Sequence, residues 1–81
     1  MKTKVKKLAK NQVIIYTESS VLFQSYNSTI CKIENGKTLL DERFWDYSKT
    51  TGKYRNIFLG EEKKETTKKI NSGEYKLTNL N

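Results

Sequence analysis

The stretch "TICKIENGKTLLDE", residues 29–42, decides the fold of this chain. Two β-rich runs flank Asn35–Gly36. Such a pair is the strongest short-range hairpin signal, because both central residues of a type I′ turn need φ > 0. A two-residue turn sets the register: Glu34 opposite Lys37, Ile33 opposite Thr38, Lys32 opposite Leu39 and Cys31 opposite Leu40. Thr29, Cys31, Ile33, Thr38 and Leu40 then share one face, the expected core face. Cys31 reads as a small buried hydrophobe, since the chain has no histidine to activate a nucleophile.

Upstream, "QVIIYT" (12–17) and "VLFQSY" (21–26) are further strand-like runs, separated by "ESS" and followed by "NS" as turn residues. Downstream lies "FWDYSKTTGKYRNIFLGE" (44–61), with "DERFWDY" read as strand. Ser48 is a good N-cap for a helix over 49–59, with Gly60 just past its end. Helical spacing places Tyr47, Thr50, Thr51, Tyr54, Ile57 and Phe58 on the stripe expected to face the sheet. Lys49, Gly52, Lys53 and Asn56 fall opposite, with Arg55 and Leu59 on a flank.

"EEKKETTKKI" (61–70) predicts a second, charged helix anchored chiefly by Ile70 and ended by Gly73. "EYKLTNL" closes as a strand, with Tyr75 and Leu77 inward. The order β-β-β-β-α-α-β predicts an α+β fold: a small, mainly antiparallel sheet of four to five strands with helices packed on one face.

At 81 residues the chain has room for one core. Its net charge of +7 is unevenly placed: Lys2, Lys4, Lys6, Lys7 and Lys10 stand in the first ten residues with no acid among them. Residues 1–11 therefore read as a basic flexible N-terminal arm and 12–81 as a single domain. No apolar run approaches the roughly 20 residues that span a bilayer, and no secretory h-region follows the lysines. With a single cysteine, the expectation is a cytoplasmic protein with no membrane association.

Several chemistries are absent. Without histidine, Ser–His–Asp and Cys–His catalysis are excluded. One cysteine cannot build a zinc site, and the four glycines form no phosphate loop. Asp41, Glu42 and Asp46 read as solubilising charges and not as a cation site. The expectation is a protein with no cofactor and no enzymatic activity.

The segments "LFQSYNSTI", "LDERFWDYSKTTGKYRNIFLGE" and "KKINSGEYKLTNLN" resemble a family of short uncharacterised proteins carried by phages, prophages and conjugative elements of low-GC Gram-positive bacteria. The pattern rests on Phe23–Asn27, Trp45–Ser48 with Thr50 and Thr51, Phe58–Gly60, and Ile70, Gly73 and Tyr75. The resemblance implies a mobile-element setting and carries no activity.

Binding is what remains. Nucleic acid is the first expectation, through the lysine arm (Lys4, Lys6, Lys7, Lys10) and the helix face of Lys49, Lys53, Arg55 and Asn56. The alternative is a protein-binding adaptor or inhibitor of a host or defence protein, anchored by a strand edge or by Trp45 and Tyr47. The bland reading of the basic helix face is a solvated charged surface. One contiguous positive face favours nucleic acid, and an exposed apolar patch favours a protein.

Overall fold

The computed structural model describes residues 3–81, so Lys2 of the lysine cluster lies outside the described residues. The element order is β1 (Lys4–Ala9), β2 (Gln12–Tyr16), β3 (Ser20–Ser25), β4 (Ser28–Glu34), β5 (Lys37–Asp41), α1 (Lys49–Leu59), α2 (Lys63–Ser72) and β6 (Tyr75–Thr78). All six strands form one sheet in chain order. Neighbours are antiparallel, except that β6 returns after both helices to lie parallel to β5.

The hairpin forms as its Asn-Gly pair predicts. Asn35 and Gly36 take φ of 52° and 75°, and Glu34, Ile33, Lys32 and Cys31 face Lys37, Thr38, Leu39 and Leu40. The sheet has six strands where four to five were expected. The additional one is β1, drawn from the segment read as a flexible arm. Its ladder to β2 and the packing of Leu8 against the core hold that segment on the domain. Lysines along an edge strand also discourage a second sheet from pairing there.

The face carrying Ile14, Phe23, Cys31 and Leu40 is the helix-covered one: Phe23 stacks on Phe58 of α1 with ring centroids 5.8 Å apart. Phe23, Ile30, Cys31, Leu40 and Tyr75 make the buried cluster, joined by Trp45, Tyr54, Phe58, Leu59 and Ile70. Ile30 enters this core against strict alternation. A register shift at Phe23/Gln24 leaves an extra residue on β4, so Ile30 and Cys31 are both buried. Of the expected core face, Cys31, Leu40 and Thr29 are buried, whereas Ile33 and Thr38 are half-buried.

Helix α1 runs Lys49–Leu59, with the Ser48 side chain accepting from Thr51 N–H and Gly60 at φ 70°. Its buried arc is turned toward Arg55. Thr51, Gly52 and Arg55 are buried, Tyr54 and Phe58 half-buried, and Tyr47 and Ile57 exposed, Ile57 by 56%. The cause lies in the preceding segment, which is a turn and not a strand. Asp41 accepts from the N–H groups of Arg43 and Phe44, at 3.0 and 2.9 Å, and curls the chain beneath the helix. That places the Trp45 backbone against α1. Helix α2 ends at Gly73 as expected, and Tyr75 is buried, but Leu77, expected inward, is 39% exposed. Among the described residues, no helix is long and apolar enough to cross a membrane.

Candidate functional site

Lys49, Lys53, Arg55 and Asn56 line one open depression of about 620 Å³, together with Asp46, Ser48, Gly52 and Lys63. Ser48 fixes where the helix begins, and helical spacing then carries Lys49, Lys53 and Asn56 to the same wall. Lys63 comes from the start of α2. Sequence reasoning missed it because only the turn at Gly60–Glu62 brings the two helix ends together.

Arg55 is a floor residue and not a surface cation. It is 1% exposed; one Nη donates to the Trp45 carbonyl at 2.7 Å and to Asp46 at 3.3 Å, and the other donates to Asn56 Oδ1 at 3.0 Å. Its Cζ lies over the Trp45 ring, 5.3 Å from the centroid. A Cβ at Gly52 would touch the guanidinium at 3.6 Å. Arg55 therefore underlies the depression, and the expectation that it presents free donors to a ligand is corrected. Half-buried Asn56 lines the depression with its Oδ1 engaged by Arg55. The accessible positive groups are Lys49, Lys53 and Lys63, with Lys53 also 5.4 Å from the Tyr54 ring.

Asp46 is the one acid lining the depression, and it bridges Lys63 at 2.6 Å and Arg55. Partial burial raises its pKa, but the hydrogen bonds and charges of Lys63 and Arg55 outweigh that and hold it below the ordinary carboxylate range. The depression is therefore positive overall at neutral pH.

Lys4, Lys6 and Lys7 stand exposed on β1, apart from this depression, and Lys10 is exposed in the β1–β2 turn. That turn lies at the end of the sheet where α1 begins: Tyr26 N–H donates to Asn11 O, and Ser25 meets Thr51 at 2.9 Å.

Other polar groups hold the fold together. Asp41 is buried and accepts from Arg43, Phe44, Leu80 and Asn81. Its burial raises the pKa, and those four bonds bring it below the usual range. Glu61 accepts from Thr66, Lys69 and Tyr75, tying α2 to β6. Burial pushes the Cys31 thiol up to about 12, so it stays protonated and inert. No group of three or more metal-ligating side chains occurs among the described residues.

Neither a curated protein nor a solved structure matches the chain. A family model does match, over residues 3–74, which includes β1, both helices and every lysine of the depression. The chain belongs to that family, DUF8033, a family of unknown function.

Proposed function

We propose that this is a non-enzymatic accessory protein of a phage or another mobile element, working in the cytoplasm by binding nucleic acid. The observation that carries the reading is the convergence of Lys49, Lys53 and Lys63 on one depression beside the start of α1. Three exposed ammonium groups there offer phosphate contacts that release counterions. Lys4, Lys6, Lys7 and Lys10 add attachment that is indifferent to sequence. Arg55 contributes by holding the wall, not by touching phosphate.

The test is salt-titrated fluorescence anisotropy with duplex DNA, single-stranded DNA and RNA. Binding whose affinity falls steeply with salt, and which weakens when Lys49 and Lys53 become alanine, is expected. Micromolar protein leaving all three unbound at about 50 mM salt would end the reading.

A second reading, a protein-binding adaptor, is favoured by the uncovered sheet face. Val5, Ile15, Leu22 and Leu39 stand in one cross-strand row opposite the helices, interrupted by Lys32. An antiparallel sheet with one wet face normally carries polar residues there.

A further inference from the structure

Across the Asp46–Ser48 segment from the lysine depression lies a second, smaller crevice of about 110 Å³. Its lining is Ser25, Tyr26, Ser28, Ile30, Phe44 and Tyr47. Ile30 and Ser25 are buried, whereas Tyr26 and Tyr47 are 50% and 65% exposed. Phe44 meets Tyr47 edge-on, with ring centroids 5.7 Å apart.

Tyr26 occupies a costly place. It is the first central residue of the two-residue β3–β4 turn, at φ 52°, where a bulky side chain is uncommon and Gly, Asn or Asp is preferred. Its ring is not among the core residues, so packing does not explain the choice. Backbone positions of this kind cluster at ligand contacts. Tyr47 was expected on the core stripe and stands in solvent instead.

Two exposed rings, an apolar floor and serine hydroxyls suit a flat heteroaromatic ring with polar edges. The neighbouring chemistry says what that ring is attached to. Tyr47 lines the crevice while its chain neighbours Asp46 and Ser48, and Lys49 after them, line the lysine depression, so a ring seated in the crevice lies beside a site of three lysines. A base attached to a phosphate backbone meets both requirements, and paired bases inside a duplex cannot enter.

We infer that the Tyr26–Phe44–Tyr47 crevice seats an unpaired nucleobase, which makes the preferred ligand single-stranded nucleic acid. This inference rests on the nucleic-acid reading above. Stacking on aromatic side chains with lysines tracking the backbone is the general mode of single-strand binding.

The experiment uses the whole chain and three fluorescent probes of equal length: oligothymidine, an abasic phosphodiester oligomer and a duplex. Oligothymidine should bind at least ten-fold tighter than the abasic oligomer and tighter than the duplex at equal salt. Tyr47→Ala should weaken oligothymidine binding by roughly five- to hundred-fold and leave the abasic oligomer unchanged, while Tyr47→Trp retains affinity. Tyr26→Gly removes a ring at a positive-φ position that glycine adopts without strain, and should also weaken oligothymidine binding. Equal binding of oligothymidine and the abasic oligomer, or unchanged affinity in both tyrosine variants, would overturn the inference while leaving the nucleic-acid reading intact. Failure of all three probes to bind would overturn both.

Discussion

An Arg55 Nη atom donates to the backbone carbonyl of Trp45 at 2.7 Å, and the guanidinium lies 5.3 Å from the centre of the Trp45 ring. One side chain thus holds both the main chain and the indole of the segment that leads into α1. Arg55→Ala should destabilise the fold by about 1.5–3 kcal/mol, the range for hydrogen bonds made by a charged group. Urea unfolding checks this; a change below about 0.5 kcal/mol would place Arg55 at the surface.

Asp46 partly neutralises the lysine depression through Lys63 and Arg55. Asp46→Asn should therefore tighten nucleic-acid binding by roughly two- to five-fold at low salt, with the gain fading as salt screens the charge. Anisotropy at two salt concentrations reads the effect. Weaker binding by the variant would show that Asp46 orients the lysines more than it opposes the ligand.

Removing residues 1–10 is not a neutral way to remove charge, because Leu8 packs on the core and β1 covers the β2 edge. The truncation should cost about 2 kcal/mol or more of stability. Replacing Lys4, Lys6, Lys7 and Lys10 by glutamine should instead stay within about 0.5 kcal/mol. It should lower the salt slope by up to roughly 0.9 for each duplex phosphate that the protein no longer neutralises. Thermal unfolding and salt titration on the same two proteins separate the effects.

Acid should weaken the fold in a definite direction. Asp41 and Glu61 have folded-state pKa values below their ordinary ones: burial raises each, and hydrogen bonds from Leu80 and Asn81 to Asp41, and from Lys69 and Thr66 to Glu61, outweigh it. Groups depressed on folding stabilise above their unfolded pKa, roughly 4, and lose that contribution as pH falls through the lower folded value. Stability should thus be flat near neutrality and decline below about pH 5. Asp41→Asn should be less stable at pH 7 and show a shallower acid limb in urea unfolding across pH.

Cys31 should resist a thiol reagent in the native protein and react only through opening, since it is buried and its thiol is pushed up to about 12. Labelling by an aromatic disulfide reagent at pH 8 should follow the unfolding equilibrium as urea is added. Stoichiometric labelling within seconds in buffer would put the thiol in reach of solvent.

The local elements of this protein were legible in its residues because their signals are local. Asn35–Gly36 specifies a turn through backbone φ, Ser48 caps a helix through its own hydroxyl, and Gly60 and Gly73 end helices in the left-handed region. These fixed the β4–β5 register and the limits of α1 before any packing was known. Only the tertiary structure decided the rest. A bulge sent Ile30 inward, and a turn held by Asp41 put Trp45 against α1 and drew Arg55 out of the expected binding face. Lys63 and the Tyr26–Phe44–Tyr47 crevice assemble from segments distant along the chain. Periodicity reports which residues share a face of one element. Which face is buried depends on a partner element, and here the partner of α1 includes an irregular segment that no periodicity describes.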